Sequence, residues 1–333
     1  MWTVYSLCSC PVVHPCLPAR SVPTIVDLSW RLPGPLATYY LARQGARVIK
    51  VEDRNYRDPF LLWDWDPAFA SVYNAFQGPK ELRLLDFGAP EDVQALGELI
   101  ATADAVVMSL PPRVEEKLRL TPKDIADRFR GVAFVRLGFR PGDTHSAHDL
   151  NTLAQSGLLA MHLLDRTDPV VAPPFLPVTG MFFGYHIATT VLATILEQRN
   201  DSTPLQQWCY LQDAVDQSTE AYYPSDLHGR IPATFLHNGR FPCYNLYRTS
   251  DGGYLAVAAV EAKFWSRFRD LAGLADLADG DGLVDGERAH DVKRRIAEAI
   301  GGRTAEEWAG IFEGEDACVD VLGPRAGSIL LDD

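Results

Sequence analysis

Nothing in this sequence marks a phosphate-gripping loop. Pro33-Gly34-Pro35, after the first strand-like run, lacks the three-glycine spacing of a dinucleotide site, and neither a Walker sequence nor a G-x-S-x-G elbow occurs. NAD, ATP and a hydrolase serine are therefore not expected. Cysteine is sparse, six in 333 residues, and Cys209, Cys243 and Cys318 lie far apart. That pattern does not fit a small disulfide-stapled secreted domain and suits a reducing cytoplasm. Lys and Arg total 31 against 44 Asp and Glu, a net charge of -13 with no basic block to offset it, which disfavours nucleic acid as a partner. Apolar runs break within about a dozen residues, short of the roughly 20 a spanning helix needs, so no membrane anchor is expected. Residues 1–23 read as an N-terminal arm. They lack the basic start of a signal peptide, and Cys8, Cys10, His14 and Cys16 follow no zinc spacing. No metal site is expected anywhere, and neither repeats nor low-complexity tracts are present.

What is there is ordinary globular text, 47% hydrophobic and 23% charged, at a length that suits two domains. Thr24 to Leu28 is a β-branched run, Pro33-Gly34-Pro35 opens a helical pattern, Gly45 closes it, and Arg47 to Glu52 is a second strand. Further strand signals fall at Ala105–Met108 and 132–137, with a helical stretch from Glu91 to Thr102 before them. Strands alternating with helices predict an α/β fold with a parallel sheet. Apolar stretches from Asn151 to Met161 and from Phe182 to Leu196 read as packed helices. Beyond a Tyr/Pro/His/Gly-rich segment, Asp251-Gly252-Gly253 between two strand runs signals a hairpin, and three helices follow. The expected division is a large domain over 24–200, a crossing segment over 201–238, a smaller α+β domain over 239–319, and a C-terminal segment, 320–333, returning toward the large domain. Trp63 and Trp65 read as cover for the large domain. Asp279-Gly280-Asp281-Gly282 lacks the remaining ligands of a calcium loop and reads as a solvated loop.

Several stretches in order resemble the class III CoA-transferase (CaiB/BaiF) family, and within it the α-methylacyl-CoA racemase branch. They are Val26-Asp27-Leu28-Ser29 with Pro33-Gly34-Pro35 and Gly45 to Glu52; Val135 to Phe139 with Ala147-His148-Asp149-Leu150-Asn151 and Ser156-Gly157; Tyr247 to Gly252 running into Leu255 to Glu261; and Trp308 with Asp316-Ala317-Cys318-Val319. The resemblance implies a Rossmann-like large domain with a parallel sheet, a smaller α+β domain and two chains interlocked as a dimer. It also implies a coenzyme A thioester as substrate, with no covalently bound cofactor.

In that branch a histidine and an aspartate serve opposite faces of the α-carbon. The histidine maps onto His148 and its supporting glutamate onto Glu261. An imidazole titrates near neutrality and can take the proton, and a carboxylate can hold its tautomer. The family's acid maps onto Gly180, which can neither relay a proton nor form an anhydride. Asp149 is a candidate substitute, as is a residue of the partner chain; Asp149 also suits the cap of the helix beginning near Asn151. Lys50, Lys80, Arg136 and Arg140 are the cations expected near CoA, and Gly180, Phe183 and Tyr185 the expected substrate pocket. The foremost expectation is an altered isomerase or transferase with His148, supported by Glu261, as its single remaining base. The alternatives are an inactive subunit paired with an active homologue in a heterodimer, or a true racemase or CoA-transferase homodimer with a substitute acid.

Overall fold

A computed structural model describes residues 22–62, 67–142, 148–163, 169–174, 176–198, 203–222 and 236–324. The N-terminal cysteines, Trp63, Trp65, parts of the crossing segment (201–202 and 223–235) and the last nine residues lie outside that range. The chain divides into two units, one comprising Met1–Leu159 and Val170–Tyr222, the other Ala160–Pro169 and Tyr223–Asp333.

The larger unit is built on six parallel strands: β1 (Thr24–Leu28), β2 (Arg47–Asp53), β3 (Glu81–Leu85), β4 (Ala105–Met108), β5 (Ala133–Gly138) and β6 (Gln206–Tyr210), in the order β3-β2-β1-β4-β5-β6. This is the doubly wound Rossmann arrangement, and the strand order reverses between β1 and β4. Alternate side chains of the central strands serve opposite faces. Ile25, Val48, Ala105, Val107, Ala133 and Val135 pack with Phe183, Ile187, Val191 and Ile195 of the helix Val178–Gln198. Val26, Leu28, Ile49, Val51, Val106, Met108 and Phe134 pack with Leu96, Ile100, Leu118 and Ile125 on the other side.

β3 and β6 were not among the expected strands, and both are edges. β3 is exposed through most of its length, and β6, Gln-Gln-Trp-Cys-Tyr, carries too little apolar text to announce itself. With β6 and the helix Leu211–Tyr222 in the larger unit, the expected crossing segment 201–238 starts too early. Val178–Gln198 is, by length and composition, apolar enough to cross a membrane, contrary to the expectation of short runs; half of it is buried against the sheet and its neighbours.

Pro33–Arg43 follows β1 after a four-residue loop. Gly34 is required there, because a Cβ would stand 2.3 Å from Ser29 Oγ. The stretch from Asn151 to Met161 is two helices, Asp149–Gln155 and Leu158–His162, broken at Gly157, whose φ is 81°.

The smaller unit holds an antiparallel sheet, β7 (Tyr244–Arg248), β8 (Tyr254–Ala258) and β9 (Val319–Leu322), in that order. The expected hairpin turn lies between β7 and β8, with Gly252 at φ 88°. β9 carries this sheet past the expected boundary at 319. Helices Ala262–Ala272, Gly286–Ile300 and Ala305–Phe312 cover it around Trp265, Phe268 and Trp308. Asp281 is not in a solvated loop. It is buried, bound by Arg288 at 3.0 Å from Nε, and accepts the Ala278 amide at 2.9 Å.

Candidate active site

The loop leaving β1 organises the carboxyl end of the sheet. Asp27, fully buried, accepts hydrogen bonds from the amide of Ser29 at 2.9 Å and from the hydroxyls of Ser29 and Thr38. Lys80 Nζ lies 3.1 Å from Asp27 Oδ2 and donates to Pro35 O at 2.9 Å; Lys50 Nζ lies 3.6 Å from Oδ1 and donates to Ser29 O. Burial alone would raise the Asp27 pKa, but the two ammonium groups and two hydroxyls hold it well below the carboxylate range. Lys80 is pushed down to about 8 by burial, and Lys50 adds to this while Asp27 opposes it. Both lysines are thus held within the protein, and the expected contact with CoA is replaced by a structural pairing. Arg136 is likewise buried, bound to Glu115 and lying 4.9 Å from the ring of Trp208. Arg140 is exposed and donates to Gln155, tying the end of β5 to the helix Asp149–Gln155.

Where the strand order reverses, Ser29, Trp30, Glu52, Tyr56, Asp58 and Leu110 line part of a cavity of about 340 Å³. Trp30 and Tyr56 meet edge to face, with centroids 5.6 Å apart. Trp30 Nε1 donates to Ser109 O at 3.1 Å, fixing the ring. Asp58 is buried and accepts the amides of Arg31 and Phe60, each at 2.9 Å; burial nonetheless raises its pKa. Arg31 has a φ of 63°, and the bond to Asp58 holds that left-handed turn. Trp30, Asp58 and Leu32 escaped the sequence reading. The one available signal was their position flanking Pro33-Gly34-Pro35 and β2.

His148 and Asp149 sit together at the start of Asp149–Gln155. His148 is exposed, and its amide donates to Asn151 Oδ1 at 2.9 Å. Asp149 does not cap its own helix. Its Oδ1 accepts the Gly180 amide at 2.8 Å and the Thr179 hydroxyl, both in the first turn of Val178–Gln198, where a carboxylate is favoured by the free amides and the helix dipole. A Cβ on Gly180 would stand 3.7 Å from that oxygen and 2.8 Å from Leu32 Cδ2. Of the groups named from the sequence, the fold brings Asp149 into contact with Gly180, and His148 immediately precedes Asp149 at the start of its helix.

Phe183 and Tyr185, the other expected pocket residues, differ in burial. Phe183 is 2% exposed within the helix–sheet layer, so it is a core residue and not a pocket wall. Tyr185 is 56% exposed and stacks on Tyr40, with centroids 4.1 Å apart and planes 11° from parallel. Glu261 belongs to the smaller unit, where it is exposed just before the helix Ala262–Ala272. No cluster of metal-ligating side chains occurs among the described residues.

A family model, CoA-transferase family III, matches residues 23–327. The chain belongs to CoA-transferase family III. Its curated relatives include the α-methylacyl-CoA racemases of Homo sapiens, 27% identical over 309 residues covering 89% of this chain and 75% of the relative, and of Mus musculus, 25% identical with the same coverage. A probable fatty acyl-CoA transferase of Mycobacterium tuberculosis is 25% identical over 313 residues, covering 87% of this chain and 78% of the relative. Among solved structures, a CaiB/BaiF family protein from Brucella suis superposes with a TM-score of 0.73 at 17% identity, over 92% of this chain and 84% of that one. These relatives are family III isomerases and CoA-transferases, and the α/β fold with its parallel sheet is the one the sequence led us to expect.

Proposed function

We propose that this family III protein performs acid/base chemistry at the carbon α to the carbonyl of an acyl-CoA thioester. His148 takes the α-proton, the electron pair passes into the enolate, and a proton returns to the same carbon. The observation that carries this reading is the Asp149 carboxylate at Gly180, the position onto which the resemblance maps the family's acid. A carboxylate is thus present beside that position although residue 180 bears none. Oδ1 is fixed by two donors, and within this unit no described group donates to Oδ2, which leaves one oxygen for proton transfer. That favours Asp149 as the substitute acid over a site with His148 alone.

The cavity at β1 and β4 suits the heterocyclic end of CoA. It offers aromatic faces from Trp30 and Tyr56 and acceptors from Glu52 and Asp58, which match an amino-bearing ring better than they match phosphates.

The test is incubation with a 2-methylacyl-CoA in deuterium oxide, following mass gain at the α-carbon and loss of optical purity. Uptake with inversion supports two stations, His148 and Asp149. Uptake without inversion restores the single-base reading. No uptake rejects the proposal.

A further inference from the structure

The carboxylate that reaches this site comes from a different helix than the one the resemblance names, and the cause lies in a residue that no motif contains. Leu32 ends the loop between β1 and Pro33–Arg43, and its carbonyl accepts the Leu36 amide at 3.0 Å. The residue before it, Arg31, is pinned by Asp58 in a left-handed conformation, so the loop delivers Leu32 to one place. That place is the space in front of Gly180: a Cβ there would stand 2.8 Å from Leu32 Cδ2, so this methyl at the end of the Leu32 side chain would have to shift. On its other side the same Cβ would lie 3.7 Å from Asp149 Oδ1, an ordinary contact.

We infer that Leu32 and Gly180 form one steric pair that decides which residue supplies the site's carboxylate. Leu32 holds the volume in which a side chain on residue 180 would begin. The acid that fits is therefore Asp149, which approaches from the side that Leu32 leaves open and is anchored on the Gly180 amide itself. Leu32 is a positioning residue, and the pair fixes the direction from which the acid meets the substrate. The inference deepens the acid/base reading above and rests on it for its activity arm alone.

Two measurements test it. The first is a thermal cycle on Gly180→Ala, Leu32→Ala and the double variant. Alanine for glycine inside a helix ordinarily stabilises. Here Gly180→Ala is expected to lower Tm in the parent and to raise it in the Leu32→Ala background. Additive shifts would overturn the pair whatever the protein catalyses. The second is relocation of the acid. Asp149→Asn, whose amide oxygen can still accept the Gly180 amide, is expected to lose at least 100-fold in α-deuterium exchange. Adding Gly180→Asp should restore nothing, and adding Leu32→Ala as well should return at least tenfold. Rescue by Gly180→Asp without trimming Leu32 would overturn the inference, as would a folded triple variant no better than Asp149→Asn. A parent protein that exchanges no α-proton would reject the proposed function and leave the decision on the pair to the thermal cycle.

Discussion

The Gly180 amide donates to Asp149 Oδ1 at 2.8 Å, joining the start of one helix to the start of another across 31 positions of sequence. This single bond has two consequences, one for stability and one for chemistry, and substitutions at Asp149 separate them. Asp149→Ala removes the acceptor from the first turn of Val178–Gln198, and loss of such a cap costs about 1 kcal/mol. Asp149→Asn keeps an oxygen acceptor and should hold most of that stability. Thermal melts should therefore rank parent and Asn close together with Ala below, while α-deuterium exchange falls for both. An Asn variant with parental exchange would show that the carboxylate serves only the helix.

His148 is exposed, and its visible bonds are made by its backbone. Removing the imidazole should thus leave stability within about 0.5 kcal/mol, as for surface positions generally. If it is the base, His148→Ala should slow exchange by about 10²–10⁴-fold. A melt and a deuterium time course on the same sample check both, and full activity would remove His148 from the mechanism.

The legible parts of this fold were those where local pattern and burial agree. β1, β2, β4 and β5 carry runs of buried residues with apolar side chains at their centres, and their bounds could be read closely from the chain. β3 and β6 could not, because edge strands need only one partner and carry exposed side chains such as Glu81 and Trp208. The site divides in the same way. His148 and Asp149 lie in one motif and were both named. The cap that Asp149 provides joins two helices, and the obstruction at Gly180 comes from Leu32, a residue 148 positions earlier whose type carries no chemical signal. Lys50, within β2, and Lys80, just before β3, were misread for a related reason: each looks like a ligand-binding cation until the buried Asp27 beside it is seen.

Phe183 and Tyr185, two positions apart on one helix, should behave as opposites. Phe183 fills the layer between helix and sheet, and truncating such a ring to alanine costs about 3–5 kcal/mol. Tyr185 is more than half exposed, and among the described residues its ring partner is Tyr40, so Tyr185→Ala should cost about 1 kcal/mol. Chemical denaturation of the two variants measures this directly. A mild Phe183→Ala would mean that the helix is not packed on the sheet as described.

The buried Asp27, Lys50 and Lys80 group should make stability depend on pH at both ends of the scale. Lys80 releases its proton at about 8 in the folded chain against an ordinary 10.5, burial being the main cause and the charge of Lys50 the next. Between those values the unfolded chain holds a proton that the folded chain has lost, so raising the pH through this window favours folding. Asp27 acts in the same sense at the acid end: its carboxyl is held below the ordinary 3.8, and the stability this supplies is full above that value and drains away as the pH falls beneath it. Lys80→Met removes the first effect and leaves Asp27 paired with Lys50, so the parent should gain stability relative to the variant as the pH rises from 8 to 10.5. Asp27→Asn leaves two buried ammonium groups without their counter-ion and should cost about 3–5 kcal/mol at neutral pH. Parallel melting curves for parent and Lys80→Met across that window would show that Lys80 titrates no differently in the folded and unfolded chains, and that the charge pairing at Asp27 does not govern this end of the sheet.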